Sequence, residues 1–414
     1  VKEGVRLATW FLVIIYLAFI SLGLPDSLLG SAWPVIWPDI GSSVGSAGII
    51  SMIIAGGTIV SSLASGSMIQ RFGTGTITLV SCFLTAGALL GFSMAPSMTW
   101  FVVMAIPLGL GAGAVDAALN HYVADNYKAH HMNWLHCFWG VGATMGPIIM
   151  SASIADHNSW RPGYTAVAVI QFALVVILLV TLPLWKRVAA KRVHVGQNDE
   201  SHGRLDQDTP APSRLTPTAK ANLFGIRGVK PSLLAFLFYC GVETTVGLWG
   251  ASYLVGTGNI TAEKAALWIS LYYGGITIGR LVTGFITLKV SNRWLIRYGQ
   301  LVTIVGGIIL LLPLPISSSL VGIILIGLGL APIYPGLLHE TPARFGRENS
   351  ARLMGFQMAF AYTGTTTIPP LFGLVTTQFS IGLFPYIVLA LLVLMFLSAE
   401  IVNRILGKQV LGTG

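Results

Sequence analysis

The chain is 414 residues long; 54% of them are hydrophobic, only 9% are charged, and the formal net charge is +9. An ordinary soluble protein carries roughly 25% charged residues. So few charges cannot cover the surface of a water-soluble enzyme or nucleic-acid binder of this size, and the mean hydropathy of +0.76 excludes the same classes.

In chain order, apolar runs long enough to cross ~30 Å of hydrocarbon predict twelve membrane-spanning helices. The first six lie near residues 8–31, 46–69, 76–95, 99–126, 131–154 and 162–185. The first run continues through Pro25 and Asp26, so it reads as a span and not as a cleaved leader. Residues 186–230 form a long polar stretch, which with Pro210, Pro212 and Pro217 reads as a flexible linker. The second six runs lie near 231–256, 264–288, 294–314, 317–338, 350–376 and 380–405. A segment in lipid must pair its own backbone groups, so these runs are expected to be helices. The expected fold is an all-α membrane protein. It has an N-terminal six-helix bundle (1–185), a cytoplasmic linker (186–230) and a C-terminal six-helix bundle (231–414). Most of the 48 glycines lie in the apolar runs, where Gly lets helix backbones approach closely. Cys82, Cys137 and Cys240 lie in apolar runs without metal-ligand spacing and read as small core residues.

The basic residues orient the chain. With both termini in the cytoplasm, 21 of the 24 Lys and Arg fall on the termini, the linker and the loops after even-numbered helices. Arg161 and Lys264 fall on the other side, and Arg280 lies inside a helix. This asymmetry accounts for the surplus of positive charge without a nucleic-acid partner. It predicts a multi-pass protein of the plasma (inner) membrane whose environment is the lipid bilayer and which functions as a monomer.

The halves also look like repeats. An offset of 218 residues lays Gly66 and Arg71 on Gly284 and Lys289, and Gly109-Leu110-Gly111 on Gly327-Leu328-Gly329. It brings Asp26 within one residue of Glu243.

Twelve helices in two related halves joined by a linker resemble the major facilitator superfamily. Its signature after the second helix, Gly-x-x-x-Asp-Arg-x-Gly, is matched by Gly66, Arg71 and Gly73, with Gln70 in place of the acidic residue. The resemblance implies a gating role for this segment at the cytoplasmic face. Within that superfamily the chain resembles fucose permease-like proton symporters. The likeness is carried by Gly23-Leu24-Pro25-Asp26, by Gly109 through Asn120 with Asp116, by Asn133 through Gly142, and by Gly241 through Trp249. It implies that Asp26 and Asp116 serve substrate binding and proton coupling. It also implies that His136 and Trp139 line a sugar site.

Physical reasoning selects the same region. Asp116 and Glu243 lie near mid-membrane, where a charge costs at least ~2.5–3.5 kcal/mol and marks a cavity, a partner or a proton path. Asp26, after a helix-kinking Pro25, is placed toward the outer end of the first helix. It is either a third coupling group or a helix-end Asp in outside water. Asn120 lies one turn beyond Asp116 on the same face and could bind a hydroxyl or a neighbouring helix. Arg280 is expected to pair with a carboxylate such as Glu243, as structure or as a latch. His136, Trp139, Trp249, Tyr334 and Gln357 are candidate substrate contacts, with Tyr272 and Tyr273 further aromatic candidates; each could equally be core packing.

No cofactor is expected: Gly109-x-Gly111-x-Gly113 sits in an apolar helix with no preceding strand, no phosphate-binding loop is present, and no metal-ligand spacing occurs. Asn259-Ile260-Thr261 is a glycosylation sequon in a predicted outside loop. The expected function is not enzymatic. It is a proton-coupled symporter importing a sugar or similar small polar solute by rocker-switch alternating access. A proton-coupled antiporter exporting drugs, amphiphiles or lipids is the alternative, since Gly142-Ala-Thr-Met-Gly146-Pro147 partly resembles the antiporter signature. A transport-fold sensor is a third possibility.

Overall fold

A computed structural model describes residues 2–127, 129–202, 223–258, 260–287 and 289–411. The described residues contain helices and turns and no strand. In the first half the helices are α1 (Lys2–Asp26), α2 (Leu28–Asp39), α3 (Ser46–Phe72), α4 (Thr74–Ser93), α5 (Met98–Asn126), α6 (Ala129–His157) and α7 (Arg161–His202). In the second they are α8 (Val229–Gly258), α9 (Ala262–Ile286), α10 (Asn292–Leu311), α11 (Ser317–Leu330), α12 (Ile333–Phe345), α13 (Arg347–Gln378) and α14 (Phe384–Leu411). The α1–α2 pair forms the first span and the α11–α12 pair the tenth, each interrupted beside a proline, Pro25 or Pro332. An even number of spans puts both ends on one face, here called the termini face, opposite a far face.

Two boundaries differ from expectation. The first span runs to Asp39, so Asp26 lies near the middle of the bilayer and not toward its edge. Helix α7 continues through His202. Residues 203–222, Lys128 and the sequon residue Asn259 lie outside the described residues. Among the described residues eleven spans are long and apolar enough by composition to cross a membrane. In the position of the eleventh expected span, α13 is a 32-residue helix that falls short of that measure because its threonines and its charged first turns dilute it. The threonine hydroxyls are satisfied locally: Thr363, Thr366 and Thr367 each donate to the carbonyl four residues back.

The halves pack alike. α5 lies on α3 and α4 as α11 lies on α9 and α10; α4 meets α7 as α10 meets α14; α1 meets α6 as α8 meets α13. The likeness reaches individual atoms. A Cβ on Gly109 would stand 2.3 Å from the Ile54 carbonyl oxygen, and one on Gly327 would stand 2.3 Å from that of Tyr272. Gly111 meets the carbonyl of Ser81 as Gly329 meets that of Gly299. Every pair is displaced by the 218 positions read from the sequence. Gly66 and Gly284, also so related, face open space.

Proline leaves carbonyls that lipid cannot satisfy, and side chains replace the missing donors. Pro25 has no N–H for the Ser21 carbonyl. Gln171, buried in α7, supplies one at 2.7 Å, and its own oxygen accepts from Thr85 at 2.8 Å. One amide thereby ties α1, α4 and α7 and fixes the bend that presents Asp26. On the far face, Asp39 accepts from Trp160 and Arg161, each at 3.1 Å, while Arg161 also donates to the carbonyls of Ser93 and Ala95 at the end of α4.

Contacts between the halves gather from mid-membrane to the far face. Gly30 seats against the backbone of Gly247, Gly45 against that of Gly373, and Gly48 against Pro370. Ser151 donates to the Glu263 carbonyl at 2.8 Å. The halves therefore close on the far face and part toward the termini face.

Leucine at Gly109 or Gly327 is expected to destabilise the purified protein by about 1–3 kcal/mol or more, because backbone stands where Cβ would go. Alanine at Gly66 or Gly284 should leave stability unchanged or slightly raised. Gln171→Leu should cost about 1–3 kcal/mol by stranding the Ser21 carbonyl. Thermal unfolding in detergent, followed by size-exclusion fluorescence, measures all five variants.

Candidate functional site

The site lies where α1, α5 and α6 of the first half face α8, α9 and α13 of the second. Its geometry starts from small residues. Gly23 and Gly142 let the backbones of α1 and α6 touch: a Cβ on Gly23 would lie 2.1 Å from the Trp139 carbonyl oxygen. One turn on, Asp26 accepts a hydrogen bond from the Trp139 indole N–H at 2.8 Å. Asp26 is exposed although it lies deep in the bundle, because it looks into the opening between the halves.

Gly140 performs the same service across the seam, with its Cβ position 2.4 Å from the Thr277 hydroxyl of α9. Thr144 and Thr277 approach to 3.5 Å beside it. One turn beyond Thr277, the Arg280 guanidinium stands over the Trp139 ring, 5.5 Å from its centroid. Arg280 also pairs with Glu243 at 3.4 Å, and both side chains are only 16% exposed. Tyr272, itself buried, donates to the Glu243 backbone carbonyl at 3.1 Å. Tyr239 stands beside both members of the pair.

The third carboxylate, Asp116, accepts from Asn120 at 2.9 Å, as their spacing on α5 allows. Across the seam it faces Tyr362 of α13. His136 is exposed to the opening, its ring edge-on to Phe19 and its charge field shared with Arg280.

Asp26, Asp116, Asn120, His136, Trp139, Glu243 and Arg280 are thus brought together. Other expected contacts are placed elsewhere. Trp249 is fully buried, donates to the Pro369 carbonyl at 3.0 Å and packs on Phe372. Gln357 is fully buried; its oxygen accepts from Thr341 at 3.0 Å and its nitrogen donates to Ser232 at 3.1 Å. Both stitch the second half together and leave nothing to offer a solute. Tyr334 is intermediate, packed on Phe236 and Tyr239 at the floor of the site with its hydroxyl on the Met358 sulfur. Tyr273 lines the seam against Gly247. Arg71, Gly66 and Gly73 lie away from this cluster at the termini face, where the exposed Arg71 covers Phe72 and Gly73 ends α3 with φ +81°.

Tyr239 and Tyr362 were not singled out in the sequence, and Cys137 was read only as a small core residue. Tyr239 precedes Glu243 by one turn on α8, which is the signal that could have found it. Among the described residues no group of three or more His, Cys, Asp or Glu could hold a metal ion. The site offers carboxylates, one ion pair, hydrogen-bonding groups and aromatic faces.

Several known proteins share this architecture. The glucose/mannose transporter GlcP of Bacillus subtilis is 24% identical over 331 residues, 77% of each chain. The cis,cis-muconate transport protein of Acinetobacter baylyi is 23% identical over 400 residues, 91% of this chain and 90% of its own. Among solved structures, a D-xylose-proton symporter superposes with a TM-score of 0.72 at 15% identity, covering 95% of this chain and 96% of its own. A peptide transporter, POT, superposes with a TM-score of 0.74 at 16% identity, over 96% and 95%. The sequence profile described as Major Facilitator Superfamily matches residues 15–336 and, again, residues 231–405. The twelve spans, the repeated halves and this double match agree: the chain belongs to the major facilitator superfamily, as a multi-pass membrane transporter and not an enzyme.

Proposed function

We propose that this transporter is a proton-coupled symporter that imports a sugar or a similar small polar solute. Its fucose permease-like sequence features, with Asp26, Asp116 and Glu243 as proton-coupling groups, belong to this reading. The observation that carries it is Asp26, an exposed carboxylate at mid-membrane with Asp116 and the Glu243–Arg280 pair nearby. A carboxylate there is worth its cost when it binds a proton during transport. Asn120, His136, Trp139 and Tyr334 offer a solute donors, acceptors and aromatic faces. Transport would follow a rocker switch, the halves tilting about the central site. In this reading the termini lie in the cytoplasm of a plasma (inner) membrane, an orientation that the asymmetry of basic residues supports, and the opening toward the termini face is the inward one. The glucose/mannose and D-xylose-proton names among the similar proteins support the sugar class.

One observation favours a second reading, a small organic acid as solute. Arg280 is a cation in the site, held by one long contact to Glu243, and a carboxylate solute would pair with it. The muconate and 4-hydroxybenzoate transporters among the relatives support this reading.

Proteoliposome uptake with an imposed pH gradient tests both, using D-glucose, D-xylose, L-fucose, cis,cis-muconate and 4-hydroxybenzoate. Symport predicts accumulation of a solute only when the side of entry is the more acidic. Asp26→Asn and Asp116→Asn should each lose accumulation yet keep solute exchange without a gradient. Accumulation that ignores the gradient, in the wild type, excludes the symport reading.

Arg280→Gln separates the solute classes. It should weaken an acid roughly 10–100-fold, the usual worth of a hydrogen bond to a charged group. A neutral sugar should lose much less. Half-saturation concentrations for the two classes give the answer.

A further inference from the structure

Trp139 makes two contacts with charged groups that belong to different halves. Its N–H is donated to Asp26 at 2.8 Å, and its ring face carries Arg280 at 5.5 Å. Both contacts sit beside close approaches at glycine, Gly23 against the Trp139 backbone on one side and Gly140 against the Thr277 side chain on the other. Arg280 is paired in turn with Glu243, so one indole stands between a carboxylate of the first half and an ion pair of the second.

We propose that Trp139 is a positioning residue that passes the protonation of Asp26 to the Arg280–Glu243 pair and thereby to the seam between the halves. This inference rests on the proton-coupled reading above. An ionised Asp26 is a strong acceptor and holds the indole in one orientation. In that orientation the ring presents its face to Arg280, which it attracts. When Asp26 takes a proton from water in the opening, its carboxyl becomes neutral and its grip on the N–H weakens. The indole is then free to turn, Arg280 loses its partner in the first half, and it keeps Glu243 in its own. A tie across the seam is released by one proton, with no other bond made or broken, and the two-state rocking of the halves is biased away from the arrangement described here.

The neighbourhood contains other titratable groups. Asp26 is faced by Asp116 from α5, Trp139 from α6, Glu243 from α8 and Tyr273 from α9. Arg280 is faced by His136 and Cys137 from α6 and by Tyr239, Cys240 and Glu243 from α8. The test must therefore tie the response to Asp26 and to the indole N–H specifically.

Spin labels at Ser43→Cys and Gln378→Cys report the far-face gap, since both positions are exposed and belong to opposite halves. The full chain is placed in lipid nanodiscs with Cys82, Cys137 and Cys240 replaced by alanine, and the label distance is followed from alkaline to mildly acidic pH. The parent should shift toward longer distances as the pH falls. Trp139→Phe keeps a ring face but has no N–H, and it should lose that shift. Asp26→Asn should show one distance distribution at every pH. A wild-type shift retained in either variant overturns the inference, as does a parent with no shift. The proteoliposome assay stands apart: gradient-driven uptake combined with an unaltered shift in Trp139→Phe overturns this inference alone.

Discussion

Hydrocarbon offers no hydrogen bonds, and the rest of the structure follows from that constraint. Where a helix departs from regularity, a side chain can supply what lipid cannot. The Ser21 carbonyl released by Pro25 is taken by Gln171. The Pro369 carbonyl, within the double proline of α13, accepts from Trp249. The same accounting explains why the charged groups are few and gathered. Arg280 has Glu243 and an aromatic face, Asp26 has the indole of Trp139, and Asp116 has Asn120. Side chains dispersed along 414 residues converge because each finds a polar or charged partner there.

Much of the architecture was legible in the sequence, because span length and basic-residue placement are one-dimensional quantities. The repeat was legible for a similar reason. Gly109 and Gly327 are small because a carbonyl of Ile54 or Tyr272 stands where Cβ would be, and such close packing preserves spacing exactly. Asp26 was placed too near the membrane edge because the first span was ended at residue 31. The added turns through Asp39 contain Pro34 and Pro38, and they belong to the span because Trp33 and Ile36 are buried and α2 packs on α8. Trp249 and Gln357 resembled site residues because aromatic and amide side chains in lipid are uncommon. Whether such a group serves a solute or a neighbouring helix depends on where its N–H points. Sequence pattern gives its face on the helix but not the partner across it.

The halves are alike in packing and unlike in chemistry. At positions related by the same displacement that aligns the glycines, Asp116 corresponds to Tyr334 and Ser62 to Arg280. A common scaffold thus presents two acids from one side and an ion pair from the other. The arrangement suits a site whose two walls must respond differently to the same proton. The far-face contacts show how little polar bonding holds the seam itself. Glycines and a few hydroxyls do most of the joining, and van der Waals seams of that kind can be remade in a second geometry.

The imbalance of charge at the centre has an electrical consequence. Asp26, Asp116 and Glu243 against Arg280 leave two surplus negative charges when all four are ionised. Charge carried through the field of an energised membrane costs about 2.3 kcal/mol per elementary charge per 100 mV. An empty carrier in that state is coupled to the membrane voltage whenever its centre moves along the field. In the proton-coupled reading proposed above, each proton taken up would remove one unit of that coupling. The potential across the bilayer would then act as a second driving force on the same few side chains, beside the chemical gradient.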